Sequence, residues 1–448
     1  MDTLSLLKKY NVAAPRYTSY PTVPFWETDR FDETQWLLSV KNTFADYKSE
    51  GISLYVHLPF CESLCTYCGC NTRITKNHQV EVPYLDAVLK EWELYLQVLG
   101  DKPKIRELHL GGGTPTFFSA HNLEKLINGI ISTCEPTNDA EFSFEAHPDN
   151  TTEAHLTTLF NLGFKRLSLG IQDFDPKVQL MINRFQTPAQ VAEITALARK
   201  IGYTSINFDL IYGLPFQTTE GLSETLQEVI RINPDRIAFY SYAHVPWLKP
   251  GQRRYTEKDL PQGEAKFGLY QLGKDALLAA GYDDIGMDHF ARKHDRLYLA
   301  AAQNNLHRNF MGYTHQHTQL LIGLGVSAIS DSYTAFAQNL KTVEAYLEAI
   351  NNGRFAIEKG HILSRKDLKI RRHIRNIMCD GKSLFLDGIP KPAYYKLATL
   401  IDDGLISISE NQLTVNPAGK PFLRNICMAF DERLWEKTPE SQMFSYAI

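Results

Sequence analysis

Four of the chain's seven cysteines lie within ten residues, in the run CESLCTYCGC from Cys61 to Cys70. Thiolates this dense hold either zinc or an iron–sulfur cluster. Structural zinc usually takes two short knuckles separated by a longer loop. Here the pattern is C-x3-C-x2-C followed by C-x-C, with no second pair downstream, so the spacing favours a cluster over zinc. Inert core thiols have no reason to crowd, and crowded thiols are liable to oxidise. Three thiolates on a cubane leave one iron without a protein ligand, and a substrate or cofactor can bind at that vacancy.

The other cysteines, Cys134, Cys379 and Cys427, are scattered singly, so the count is odd and no disulfide framework is suggested. A chain of 448 residues, 44% hydrophobic and 22% charged, can bury a large core and is expected to divide into two or three domains. Its N-terminus, with Asp2 and two lysines among few apolar residues, is too short for a signal-peptide core. No apolar run reaches the ~18 residues of a spanning helix, so a cytoplasmic protein with no membrane partner is expected. Net charge is −4 and pI about 6.4. No global basic field argues for nucleic acid, and any anionic partner must be met by local arginines.

Something must hold the cysteine loop in place. After residue 50, strand-like runs (53–59, 104–110, 141–147, 164–172, 205–213 and 235–243) alternate with amphipathic stretches such as 82–99. This βαβα order predicts parallel strands in a barrel or an open doubly wound sheet, where chemistry gathers at the carboxyl ends of the strands. Polar residues recur there: the cysteine loop, GGGTPT (111–116), Glu145, Gln172 and Asp209. A single strand carboxylate is more often a structural ion-pair partner. Polar groups delivered by several strands to one rim need something to satisfy them, and a polar ligand would do so. Beyond residue 245 a Pro-, Gly- and charge-rich loop precedes a strand-like run at 281–291. The apolar text at 319–331 reads as another segment entering the core, and 405–419 as a hairpin. The expected division is an N-terminal arm and helix over 1–50, a barrel domain over 51–350 and a mainly helical C-terminal domain over 351–448.

The form C-x3-C-x-Tyr-C, with Tyr67 before Cys68, resembles the signature of the radical S-adenosylmethionine superfamily, and GGGTP resembles its glycine motif. The runs YNVAAPRYTSYPT (10–22), SLYVHLPFC (53–61), RLSLGIQDF (166–174), FDLIYGLPFQT (208–218), IGMDHFA (285–291), LHRNFMGYT (306–314) and RNICMAFD (424–431), with the extra Cys70, narrow this further. Together they are similar to the oxygen-independent coproporphyrinogen III oxidase (dehydrogenase) family over almost the full length.

That resemblance implies an α/β fold: a partial or open TIM-like (β/α) barrel of the radical SAM type, with an N-terminal arm and a small, mainly helical C-terminal domain. It implies Cys61, Cys65 and Cys68 as ligands of a [4Fe-4S] cluster, with Cys70 a fourth cysteine that does not bind iron. Cys70 and Tyr67 are read as catalytic. Two molecules of S-adenosylmethionine are implied. Tyr55, Gly112, Glu145 and Ile329 would surround the cluster-bound one, and Tyr67, Gly113, Thr114, Gln172, Arg184, Asp209 and Ala243 the second. The implied reaction converts two propionates of coproporphyrinogen III to vinyls, giving protoporphyrinogen IX. An electron donor such as flavodoxin or ferredoxin would serve it. The final acceptor is unassigned, and a monomer is expected.

Substrate carboxylates call for arginines, whose planar fork pairs them bidentately. Arg16, Arg253, Arg254 and Arg308 are the candidates, three of the four being expected to be solvated surface charges. His57, His109, His244 and His289 lie near strands and are assigned to no metal. Two rivals share the cysteine loop: a non-catalytic heme chaperone and an anaerobic heme-degrading methyltransferase. The PRYTSYP arm opposes both. The chaperone group also usually lacks the fourth cysteine and has H-N-x-x-Y-W where this chain has HRNFMGYT.

Overall fold

The six strand-like runs form β1 (Ile52–Leu58), β2 (Lys104–Gly112), β3 (Glu135–Ala146), β4 (Phe164–Gln172), β5 (Ser205–Tyr212) and β6 (Arg236–Ser241). Each pairs in parallel with the next. Their apolar side chains are mostly buried on both faces, as parallel strands covered by helices require. The structure, a computed structural model, describes residues 3–436 and 443–446. The outer tips of the expected first and last domains, 1–2, 437–442 and 447–448, lie outside the described residues.

Later text enlarges this sheet. The run 281–291 becomes the hairpin β7 (Asp283–Gly286) and β8 (His289–Ala291), and 319–331 becomes β9 (Leu321–Leu324) and β10 (Ile329–Asp331). They are followed by β11 (Ala335–Asn339) and β12 (Ile357–Ile362). The twelve strands run in the order β12-β11-β10-β9-β1-β2-β3-β4-β5-β6-β8-β7. β9 is parallel to β1, and the pairings beyond β9 and beyond β6 are antiparallel. The two edges of the sheet remain unjoined, which makes a partial TIM-like barrel.

Helices cover the outer face. Glu81–Leu99 buries Tyr84, Leu85, Val88, Trp92 and Tyr95 and ends at Gly100 in the left-handed conformation, φ 71°. A second core lies away from the sheet. There Leu6, Leu7, Tyr17 and Tyr20 of the N-terminal arm pack with Ile374, Leu397, Leu413 and Phe422. The arm is tied down at its far end as well: Ala13 bridges Tyr446, and Arg424 Nε donates to the carbonyl of Pro15. The run 405–419 contains the hairpin Ile406–Ser409 and Gln412–Val415, joined by a third strand, Lys382–Leu384.

One buried carboxylate joins the added strands to the helical layer. Glu91 accepts from Gly325 N–H at 2.7 Å, Tyr346 Oη at 2.7 Å and Asn339 Nδ2 at 2.6 Å. Burial outweighs these donors and pushes its pKa up to about 7. Between pH 4.5 and 7 the folded protein therefore holds a proton that the unfolded chain releases. The resulting stabilisation is complete below 4.5 and is lost as pH rises through 7. Denaturant unfolding followed across this window is expected to show a loss of about 3 kcal/mol from this group. The corresponding slope should vanish in Glu91→Gln; an unchanged slope in that variant would refute the assignment.

Candidate active site

At the carboxyl end of β1 the chain turns through Pro59 into a short strand, Phe60–Cys61, that pairs in parallel with Arg73–Ile74. The loop between them carries the thiols, with Cys61, Cys65 and Cys68 half-buried and Cys70 exposed. Hydrogen bonding from Cys70 holds the Cys68 thiol below its ordinary range, while burial pushes Cys61 up to about 12.

The glycine segment after β2 lies directly against this loop. Gly113 N–H donates to the carbonyl of Leu58 at 2.8 Å and Thr114 N–H to that of Phe60 at 3.0 Å, and Thr114 Oγ1 stands 3.3 Å from Cys61 Sγ. Gly113 leaves no room for a side chain, because a Cβ there would meet the Pro59 carbonyl at 2.6 Å. Gly112 is more constrained still: its φ is +110°, and a Cβ would stand 2.5 Å from the His57 ring. That ring is fixed by Tyr55 Oη at 3.0 Å and the Asn71 carbonyl at 2.9 Å. Gly112→Ala is therefore expected to cost about 1–3 kcal/mol and to lower iron retention on reconstitution. An unchanged melting temperature together with full iron content would contradict this account.

Further strand ends bring their side chains to the same rim. Glu145 on β3 accepts from Gly112 N–H at 3.1 Å and lies 3.5 Å from His109 Nε2; the His109 ring stacks on Tyr55, with centroids 6.0 Å apart. Asp209 on β5 accepts from Asn207 Nδ2 at 2.9 Å and Ser168 Oγ at 3.2 Å. Burial, with the Glu145 charge second, pushes its pKa up to about 6. Gln172 sits at a register irregularity at the end of β4 with φ +66°, a conformation uncommon outside glycine. A Cβ on Gly170 would meet Gln172 Nε2 at 2.8 Å and Arg184 Nη2 at 2.9 Å, so this glycine makes room for both side chains.

Arg184 links this rim to the cysteines. Its Nη1 lies 3.6 Å from Cys65 Sγ, its Nη2 donates to the carbonyl of Gly170, and its Nε is buried without a partner. Tyr67 packs among Val178, Ile182, Tyr242 and Tyr255. Ala243 falls just beyond β6, outside the strand that the run 235–243 suggested. Ile329 opens β10, and a Cβ on Gly323 would meet its carbonyl oxygen at 2.5 Å. In the strand order, β10, which Ile329 opens, and β6, beyond which Ala243 falls, are separated by six strands. Sequence reasoning missed Gln252, whose Nε2 donates to the carbonyls of Tyr67 at 3.1 Å and Ala243 at 3.2 Å, tying the cysteine loop to the loop after β6. A glutamine in a charged, Pro- and Gly-rich stretch carries no local signal of that bridge.

The candidate arginines separate. Arg253 and Arg254 are exposed. Arg16 pairs with Asp288 at 3.3 Å and donates to the Ser241 carbonyl, and Arg308 Nη2 donates to the Arg16 carbonyl. His289 is half-buried, with its Nδ1 unpartnered. His244 accompanies the Tyr242 hydroxyl at 3.0 Å.

The donors present suit a cluster. Cys61, Cys65 and Cys68 stand half-buried within one short segment, and a cubane takes one thiol at each of several irons. The guanidinium of Arg184 beside Cys65, with its Nε free of any partner, supplies positive charge where a thiolate-held cluster would bring negative charge.

The model of the radical SAM superfamily matches residues 55–229. An oxygen-independent coproporphyrinogen III oxidase of Synechocystis is 39% identical, covering 99% of this chain and 97% of that protein. The protein of the same description from Escherichia coli K12 is 38% identical, with 99% and 98% covered. A solved structure of coproporphyrinogen III oxidase from Escherichia coli, described as a radical SAM enzyme, superposes with a TM-score of 0.89 at 37% identity, covering 96% of this chain and 98% of that one.

Proposed function

Since this chain belongs to the oxygen-independent coproporphyrinogen III oxidase family, we propose that it converts coproporphyrinogen III to protoporphyrinogen IX by radical S-adenosylmethionine chemistry in heme biosynthesis. The observation that carries the reading is the convergence, on one rim, of the cysteine loop with the glycine segment and Glu145, joined through Thr114 to Cys61 and through Gly112 to Glu145. Cys61, Cys65 and Cys68 would hold the [4Fe-4S] cluster. When bound there, such a cluster would supply the single electron that S-adenosylmethionine-dependent radical chemistry needs.

The remaining work belongs to the chain's own residues. Tyr55, Gly112, Glu145 and Ile329 line the position proposed for the cluster-bound S-adenosylmethionine. Glu145 suits the amino group, being an acceptor already oriented by His109 and Gly112. Tyr67, Gly113, Thr114, Gln172, Arg184, Asp209 and Ala243 line the position proposed for a second molecule. Arg184 offers its open Nε there, and Asp209 offers carboxyl oxygens to hydroxyl donors. Cys70, exposed and beside Cys68, is proposed to stay off the iron and to act in turnover. Arg16 of the arm bonds the Ser241 carbonyl at the end of β6, and a site closed to water there would protect a radical from side reactions. We place the protein in the cytoplasm as a monomer served by a one-electron donor such as flavodoxin or ferredoxin. No helix among the described residues is long and apolar enough to cross a membrane.

Stoichiometry tests the reading. Reduced, anaerobic, reconstituted protein given coproporphyrinogen III, S-adenosylmethionine and an electron acceptor is expected to form two 5′-deoxyadenosines and two CO2 per protoporphyrinogen, because each propionate needs one hydrogen abstraction. Tight heme binding without CO2 would favour the heme-carrier alternative.

A further inference from the structure

Beside Ala243 a cavity of about 350 Å³ opens between several segments of the chain. The loop after β6 contributes Tyr242, His244 and Trp247, the helix Gly263–Ala279 contributes Lys266, and the N-terminal arm and the C-terminal segment contribute Asn11 and Tyr446. Its chemistry is mixed in a particular way: aromatic walls, Trp247 at 48% exposure, and one ammonium.

The placement of Lys266 is built into the fold. A Cβ on Gly213, at the end of β5 with φ +83°, would meet Lys266 Cε at 2.8 Å, so this glycine lets the lysine stem cross the strand end. The ammonium donates to the carbonyl of Tyr242 at 3.2 Å and pairs with no carboxylate among the described residues. Burial, then the charges of Arg16 and Arg424, lower its pKa to about 8. Arg16, Lys420 and Arg424 line a smaller adjoining recess together with Asp288, which is engaged by Arg16. Among the described residues Glu257 is the one acid lining the larger cavity. A desolvated ammonium among other cations, held by a carbonyl and the face of the Tyr212 ring, gains most from an incoming carboxylate.

We infer that this cavity is a substrate subsite in which Lys266 holds a propionate of the tetrapyrrole while the exposed Trp247 covers a pyrrole face. The inference rests on the coproporphyrinogen reading and deepens it: the subsite adjoins Ala243, so a substrate seated there reaches the catalytic rim with its carboxylates already held. Aromatic walls with one cation suit a large ring bearing acidic side chains better than they suit a small inorganic anion.

The test uses the full-length protein and two stable probes, coproporphyrin III and its tetramethyl ester, titrated by fluorescence with and without the cluster. Lys266→Gln is expected to raise the Kd for the free acid about tenfold or more and to leave the Kd for the ester unchanged. S-adenosylmethionine binding should be unaffected, and KM for the substrate should rise more than kcat falls. Lys266→Arg, which keeps the charge, should restore most of the affinity, and unchanged melting temperatures would show that the variants fold. Equal affinity of Lys266→Gln and the parent for the free acid would overturn the subsite, as would an equal loss for acid and ester. A parent protein that turns over coproporphyrinogen while Lys266→Gln matches it in KM refutes the subsite alone. A parent that neither binds the free acid nor makes vinyl product refutes the functional reading itself.

Discussion

Replacing Cys61, Cys65 or Cys68 by alanine is expected to abolish the cluster and, with it, S-adenosylmethionine cleavage. The parent protein, reconstituted without oxygen, should carry about four irons and a thiolate-to-iron charge-transfer band; each variant should fall to the iron content of an unreconstituted blank. Folding should survive, because the three thiols are only half-buried and lie on a loop outside the main apolar core. Cys70→Ser separates ligand from neighbour. Its thiol is exposed and hydrogen-bonded towards Cys68, so iron content and spectrum should persist while turnover drops. Iron loss equal to that of Cys65→Ala would make Cys70 a ligand, leaving no open iron for S-adenosylmethionine. A parent protein that retained one zinc and refused iron would end the radical reading.

Asp209→Ala should loosen S-adenosylmethionine binding by about ten- to a hundredfold, the value of a hydrogen bond to a charged group, with little change in melting temperature. The carboxyl is held by Asn207 and Ser168, which also bond each other at 2.8 Å, so its removal strands neither partner. Its pKa is raised from 3.8 to about 6. The unfolded chain therefore loses this proton at lower pH than the folded protein does, and the group's contribution is present below 3.8 and gone above 6. At neutral pH its deletion should leave stability unchanged or slightly raised. Binding by calorimetry and melting at pH 7.5 decide the matter: a large fall in melting temperature with unchanged binding would make Asp209 a structural ion.

Local pattern carried much of this molecule. Cysteine spacing is a property of ten residues, and it indicates cluster chemistry without any fold. Strand-like runs and amphipathic spacing are likewise short-range, and the six parallel strands lie over those runs, with β3 starting six residues earlier and Asp209 lying within β5. The same windows could not show where β1 finds β9, because the partner of a strand depends on the path of the whole chain. Nor could they show that the runs at 281–291 and 319–331 extend the sheet by antiparallel hairpins. The joints of the site are longer-range still. Arg184 meets Cys65 across 119 residues, and Gln252 meets Tyr67 across 185. A residue's type and its neighbours in sequence say what bonds it can make; only the packed chain decides which partner is within 3 Å. For that reason the cluster loop and the strand rim could be read from sequence, whereas Gln252, the glycine that admits Lys266, and the arm's docking into the C-terminal core came only from the tertiary structure.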